Sequence, residues 1–235
     1  MAEPLYLLYI DRAHQADPLF RQGLARALAS AGARLPRCLI LHGSGERLAR
    51  MFEAQGLVYG APGMAPPPAL LERVMREETR RIVGALTDAG VAAVGFQGTD
   101  RRLLRPSDAG GVVAGGARWV RDLTARRVVP VVSTLVRGAD GEAREAATAE
   151  AACAFAKALK TEEVRTVFFT PTNRPGLIEA GAIRASIRAA ELPASGASSE
   201  PDAVRRVVAA GGLAWLTSPI GFIDERGPQG TRVIS

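Results

Sequence analysis

The sequence predicts an α/β protein, a three-layer α/β/α sandwich around a mostly parallel central sheet. Three observations carry that reading. Apolar runs of strand length alternate with helix-periodic segments along most of the 235 residues. The first such triplet, Leu5–Ile10, the segment after Asp17, and Arg37–Leu41, forms a βαβ unit, which requires parallel strands and a right-handed crossover. Val164–Thr170 shows little polar alternation, as expected of a strand covered on both faces.

The elements follow in order. Leu5–Ile10 is continuous and apolar, hence a strand. Asp17 is placed to cap a helix with Pro18 at its first position, running to Gly32. Cys38–Leu41 ends a strand in the turn His42-Gly43-Ser44-Gly45, and a helix over Glu46–Gln55 follows with Leu48, Met51 and Phe52 on one face. Gly60–Pro68 reads as a loop and Ala69–Ala89 as a long helix stopped by Gly90. Val91–Phe96 is a third strand. Arg101–Gly116 is irregular, its paired glycines suggesting a hairpin or flap. Arg118–Arg126 reads as a helix, Val128–Thr134 as a strand, Gly138–Gly141 as a turn, and Glu142–Lys160 as an alanine-rich helix. Gly181–Glu191 is assigned helix, Pro193–Ser199 a linker, Asp202–Ala210 a helix and Gly230–Ser235 a closing strand. The chain is read as a single domain over 1–235, with lobes at 1–137 and 138–235.

Composition narrows the function classes. No apolar run reaches membrane-spanning length, and the N-terminus lacks the basic region and cleavage pattern of a secretory signal. Cys38 and Cys153 stand alone, against a disulfide framework or zinc site, so a cytoplasmic protein without a bound metal is expected. The net charge of +6 comes from arginines interleaved with acids. The densest cluster, Arg101-Arg102-Leu103-Leu104-Arg105, has no aromatic neighbours for base stacking, so no nucleic-acid partner is expected; a small anionic ligand suits the charge.

The turn at His42–Gly45 has three readings. Its free backbone N–H groups, at the start of a helix, suit an anion. It also reads as a plain tight connection in which glycine supplies backbone freedom. The third reading, an oxyanion hole of an α/β hydrolase, also needs a Gly-x-Ser-x-Gly nucleophile turn, which the chain lacks.

The order of these motifs resembles the amino acid kinase superfamily, acetylglutamate kinases in particular. His42-Gly43-Ser44-Gly45 is similar to that family's His-Gly-Gly-Gly turn, and Val94-Gly95-Phe96-Gln97-Gly98-Thr99-Asp100 to its Val-Gly-Leu-Ser-Gly-x-Asp segment. Arg127–Val132 resembles its Gly-Tyr-Ile-Pro-Val-Ile strand, and Gly230–Ile234 its last strand. The resemblance implies transfer of a phosphoryl group from ATP, with Mg, to the side-chain carboxylate of an acylated amino acid, and a place in arginine biosynthesis. It implies that Gly43, Ser44 and Gly45 bind the substrate and that Thr170 and Asn173 lie by the nucleotide.

The departures fall on the charged groups. The family's lysine after the first strand meets Tyr9-Ile10-Asp11-Arg12. Its second lysine, after a Gly-Gly-Met turn, is placed at Gly181–Ala185, its organising aspartate at Ala149, a further aspartate at Pro171 and its substrate arginine near Ala65. Arg12, Arg184, Arg188 and Glu150 are the available substitutes; Lys157 and Lys160 are assigned to solvated surface. Phosphoryl transfer relies on preorganised positive charge, and losing one such group costs about a hundredfold in rate. No catalytic residue is therefore assigned. The expectation is a kinase-like protein with lost or weak transfer and a ligand-binding or regulatory role, acting as a homodimer through the N-terminal lobe without an arginine-controlled hexamer. The alternative is an active kinase of N-acetylglutamate or a similar acylamino acid. A third reading recruits His42, Asp100 or Asp11 for other chemistry; their ordinary roles would be turn cap, loop cap and partner of Arg12.

Overall fold

The computed structural model describes residues 3–56, 58–59, 65–108, 110–159, 163–194 and 196–235. Its elements are β1 (Leu5–Ile10), α1 (Arg12–Ala16), α2 (Pro18–Ala31), β2 (Cys38–His42), α3 (Arg47–Glu53), α4 (Pro68–Asp88), β3 (Ala93–Phe96), β4 (Leu104–Pro106), β5 (Val112–Ala114), α5 (Ala117–Ala125) and β6 (Val129–Ser133). There follow β7 (Leu135–Arg137), β8 (Ala143–Glu145), α6 (Thr148–Ala158), β9 (Val164–Phe169), β10 (Ile178–Glu179), β11 (Ala182–Ile183), β12 (Ser186–Arg188), α7 (Pro201–Ala209), β13 (Leu213–Thr217), α8 (Pro219–Phe222) and β14 (Thr231–Ile234).

One eight-stranded sheet runs in the order β12-β14-β13-β9-β1-β2-β6-β3. All its pairings are parallel except β13 with β14. The expected three-layer sandwich is what forms. Leu5, Leu7, Tyr9, Leu39 and Leu41 face α6 and α7, joined by Phe155, Val204 and Val207. The alternate residues Tyr6, Leu8, Ile10, Cys38 and Ile40 face α2 and α4, against Leu24, Leu28, Ile82 and Leu86. A two-residue period with both faces covered explains why β1 reads as an unbroken apolar run.

Asp17 does cap α2, accepting from Leu19 N at 2.8 Å, with Pro18 at the first position. The glycines of 101–116 close the β4–β5 hairpin. Four assignments need correction. Glu142–Lys160 is not one helix: Ala143–Glu145 pairs with Leu135–Arg137 as the β7–β8 hairpin, and α6 starts only at Thr148. Gly181–Glu191 is not helical; it holds β11, β12 and a short 3-10 turn, because the backbone carries left-handed angles at Ala180 and Gly181. The strand β13 and the short helix α1 also escaped the periodicity reading. Much of the loop assigned to Gly60–Pro68, and Lys160, lie outside the described residues.

A third apolar cluster fixes the functional end. Leu48 and Phe52 of α3, Leu71, Val74 and Met75 of α4, and Leu135 and Ala143 of the β7–β8 hairpin pack together. The hairpin is thereby held against the first glycine turn, and its last residue, Glu145, is delivered there.

Candidate functional site

β1 is flanked by β2 on one side and β9 on the other, so the crossovers leave the sheet in opposite directions at its carboxyl end. Ligands in such folds bind at that switch point. A cleft of about 410 Å³ opens there. Tyr9 to Arg12 come from the end of β1, Gly43 to Gly45 from the turn after β2, Glu145 to Ala149 from the hairpin and the start of α6, and Glu200, Asp202 and Arg206 from the α7 end.

The glycine turn is already engaged. Ser44 donates its backbone N–H to Glu145 Oε1 and its hydroxyl to Glu145 Oε2, both at 2.7 Å. Burial pushes the Glu145 carboxyl up from the usual glutamate range, and the two Ser44 bonds and the Arg12 charge offset part of that rise. On the other side of the turn Gln15 Nε2 donates to Gly43 O at 2.8 Å. Gly43 leaves no room for a side chain: a methyl there would stand 2.5 Å from Glu145 Oε1 and 3.4 Å from Thr148 Oγ1. Gly45 has a φ of 62°, where glycine carries no steric cost. The anion reading of the turn thus finds its anion within the chain. The helix that follows is only seven residues long and adds little dipole.

A Gly43→Ala substitution is accordingly expected to break the Ser44–Glu145 clamp and cost about 1–3 kcal/mol. In a Glu145→Ala background the same change should cost clearly less. Denaturant unfolding of the two single variants and the double variant gives the coupling, and additive losses would count against the clamp.

The rest of the lining is acidic too. Tyr9 donates to Glu200 Oε2, and burial followed by the Glu200 charge raises its phenol well above the ordinary value. The Arg12 backbone N–H reaches Glu200 Oε1 at 3.3 Å. Asp11 does not pair with Arg12: its carboxylate accepts from His14 Nδ1 at 2.7 Å and from Ser199 Oγ. Burial raises the Asp11 carboxyl, but its bonds to His14 and the His14 charge prevail and hold it below the usual range. Arg12 and Arg206 are the cations at the cleft, and Arg206 is paired with Glu150 at 3.0 Å. Among the described residues no lysine lines it. Nor do three metal-ligating side chains converge anywhere among them.

The residues singled out from sequence separate into two places. Gly43, Ser44 and Gly45 line the cleft. Thr170 and Asn173 line a different depression between α2 and α8, with His14 at its wall. The Thr170 hydroxyl closes its own loop, 2.6 Å from Thr172 O and 2.8 Å from Arg174 O. His14 bridges the two places, its Nε2 3.1 Å from Thr170 O. His42 is fully buried and turned away from the cleft, with Nδ1 2.9 Å from Gly43 O and Nε2 3.0 Å from Thr79 Oγ1. Asp100 caps its loop by accepting from Gln97 N at 2.8 Å. Of the proposed stand-ins, Arg12 lines the cleft, and Glu150 is connected to it only through its pairing with Arg206. Arg184 is spent on Ser186 O and Glu191, and neither it nor Arg188 lines the cleft. Lys157 is exposed. Ala149 is buried in the cleft wall, Pro171 and Ala65 are exposed.

Glu145 and Glu200, which dominate the cleft, have no local signature in the sequence. Their meeting with Ser44 and Tyr9 spans 101 and 191 residues.

Comparison with known proteins agrees with this architecture. An acetylglutamate kinase of Roseiflexus sp. (strain RS-1) is 31% identical over 192 residues, covering 75% of this chain and 70% of that protein. The chain belongs to the amino acid kinase superfamily. A second acetylglutamate kinase, from Roseiflexus castenholzii, is 30% identical over 195 residues, covering 76% of this chain and 72% of its own. No protein-family model matches the chain. Among solved structures, N-acetylglutamate synthase from Neisseria gonorrhoeae, complexed with coenzyme A and N-acetyl-glutamate, superposes with a TM-score of 0.71 at 17% identity, over 99% of this chain and 59% of that one. An isopentenyl phosphate kinase gives 0.64 at 16% identity, over 97% and 99%. At such identities these likenesses establish the fold. Against that fold, this acetylglutamate-kinase-like chain lines its cleft with carboxylates, and the Ser44 donors are closed to a phosphate. The cleft as built does not fit a triphosphate.

Proposed function

We propose that this protein is a non-phosphorylating, acetylglutamate-kinase-like binding protein with a regulatory role in arginine-related metabolism. The observation that carries the reading is the Glu145 carboxylate bound to Ser44 N and Oγ. Positive charge around the non-bridging oxygens is what accelerates phosphoryl transfer, and carboxylates in those positions repel them. The ligand we propose for the cleft is a small acylamino acid whose carboxylate meets Arg12 and Arg206 at the rim. We further propose that the chain acts in the cytoplasm as a homodimer, a state that its mass in solution tests directly.

A second reading, an ATP- and Mg-dependent kinase acting on N-acetylglutamate, is favoured by the names and identity of the two Roseiflexus relatives. A coupled ATP assay with N-acetylglutamate, with hydroxylamine trapping of any acyl phosphate, separates the two. We expect no trapped product. Turnover of about one per second or faster would replace the first reading with the second.

A further inference from the structure

Behind the glycine turn lies a cavity of the opposite charge, of about 340 Å³. Arg21 of α2, Arg47 and Arg50 of α3 and Arg81 of α4 line it together with Ser44, Gly45 and the carboxylates Glu46 and Glu78, so the lining is net positive. We propose that this cavity is a binding site for a phosphate group, separate from the cleft and independent of any phosphotransfer there.

Three of the four arginines have a glutamate partner. Arg50 pairs with Glu46 at 2.8 Å, Arg81 with Glu78 at 3.0 Å, and Arg47 with Glu77. Two donors are left over. Arg21 bonds only to the carbonyl of Gln15, so its charge has no carboxylate among the described residues. The Arg47 Nε–H is buried and has no hydrogen-bond partner. A buried N–H without an acceptor is costly, and it marks the Arg47 guanidinium as incompletely satisfied by its pairing with Glu77. Guanidinium forks match phosphate oxygens two at a time. The Arg50–Glu46 pair is exposed on both sides, the kind of pair that contributes little and yields readily to a stronger partner, whereas Glu78 is buried and holds Arg81 more firmly. The α3–α4–hairpin apolar cluster positions Arg47, Arg50 and Arg81, and α2, which carries Arg21, packs on α4 in the separate cluster of Leu24, Leu28, Ile82 and Leu86.

Isothermal titration with inorganic pyrophosphate at low salt tests the proposal. We expect saturable binding to the intact chain, weakened about tenfold or more by Arg21→Ala and by Arg47→Ala. Arg34→Ala, whose partner Glu225 lies elsewhere on the surface, should leave it unchanged. Orthophosphate and ATP arms identify the source: binding of ATP and pyrophosphate with similar affinity assigns recognition to the phosphate chain and supports the site. Binding of ATP without pyrophosphate, binding of citrate as tight as that of pyrophosphate, equal binding by the arginine variants, or no binding at all would each overturn it. None of these results depends on whether acyl phosphate forms, so the outcome is read separately from that of the kinase assay.

Discussion

The protein is expected to lose about 3 kcal/mol of stability as the pH falls from about 6.5 to about 4, through His42 alone. Burial is the cause: the ring is fully enclosed, and its pKa is lowered from 6.5 to about 4, with the Gly43 carbonyl opposing the shift only in part. In the unfolded chain His42 takes up its proton near pH 6.5. In the folded chain it stays neutral until about pH 4. Between those values the unfolded state binds one more proton, so each step downward in pH favours unfolding. Below about pH 4 the loss is complete and the slope flattens. Glu145 contributes with the opposite sign, since its raised pKa lets the folded chain accept a proton first. Denaturant midpoints taken every half pH unit in the parent chain and in His42→Gln isolate the histidine. A parent slope that does not exceed that of the variant in this window would show that His42 is not held neutral. Direct titration of the ring signal supplies the same answer if His42→Gln fails to fold.

Gly98→Ala should be as damaging at neutral pH. A methyl at Gly98 would press into the carbonyl of Leu135 and stand 2.8 Å from that of Ser133, with Leu104 Cδ1 at 3.0 Å. Both oxygens belong to backbone at the end of β6 and the start of β7, which a side-chain rotation cannot clear. A loss of about 3 kcal/mol or more is expected, roughly 6 to 12 °C in melting temperature for a chain of this size. Gly84→Ala is the control: it points into open space on α4 and should stabilise slightly by favouring the helix. Thermal unfolding followed by circular dichroism ranks the two. If both alanine variants melt alike, the close approach at Gly98 is not real.

The elements that read correctly from sequence share one property: the chain pattern alone determines them. The Asp17-Pro18 start of α2, the apolar runs of β1, β2 and β9, and the 21-residue α4 with Leu71, Val74, Met75, Ile82 and Leu86 on one face carry their own periodicity. The misread segments are those whose form depends on contacts far away. Ala143–Glu145 is a strand because it pairs with Leu135–Arg137 and packs on α3 and α4, and this overrides the helix preference of Ala143, Arg144 and Glu145. Leu213–Thr217 is a strand because β9 and β14 lie on either side. The cleft was legible only on its glycine side. That Asp11 and Arg12, not a lysine, follow β1 could be read from the sequence, but the carboxylates that line the cleft come from the hairpin and the start of α7. No short-range signal links Glu145 or Glu200 to Ser44 and Tyr9.

Ser44 and Gly45 face both the acidic cleft and the arginine-lined cavity. A single strip of backbone is thus a partition between two chambers of unlike sign. Free energy stored in such a shared boundary is reciprocal: whatever occupant strains it from one chamber changes the affinity of the other by the same factor.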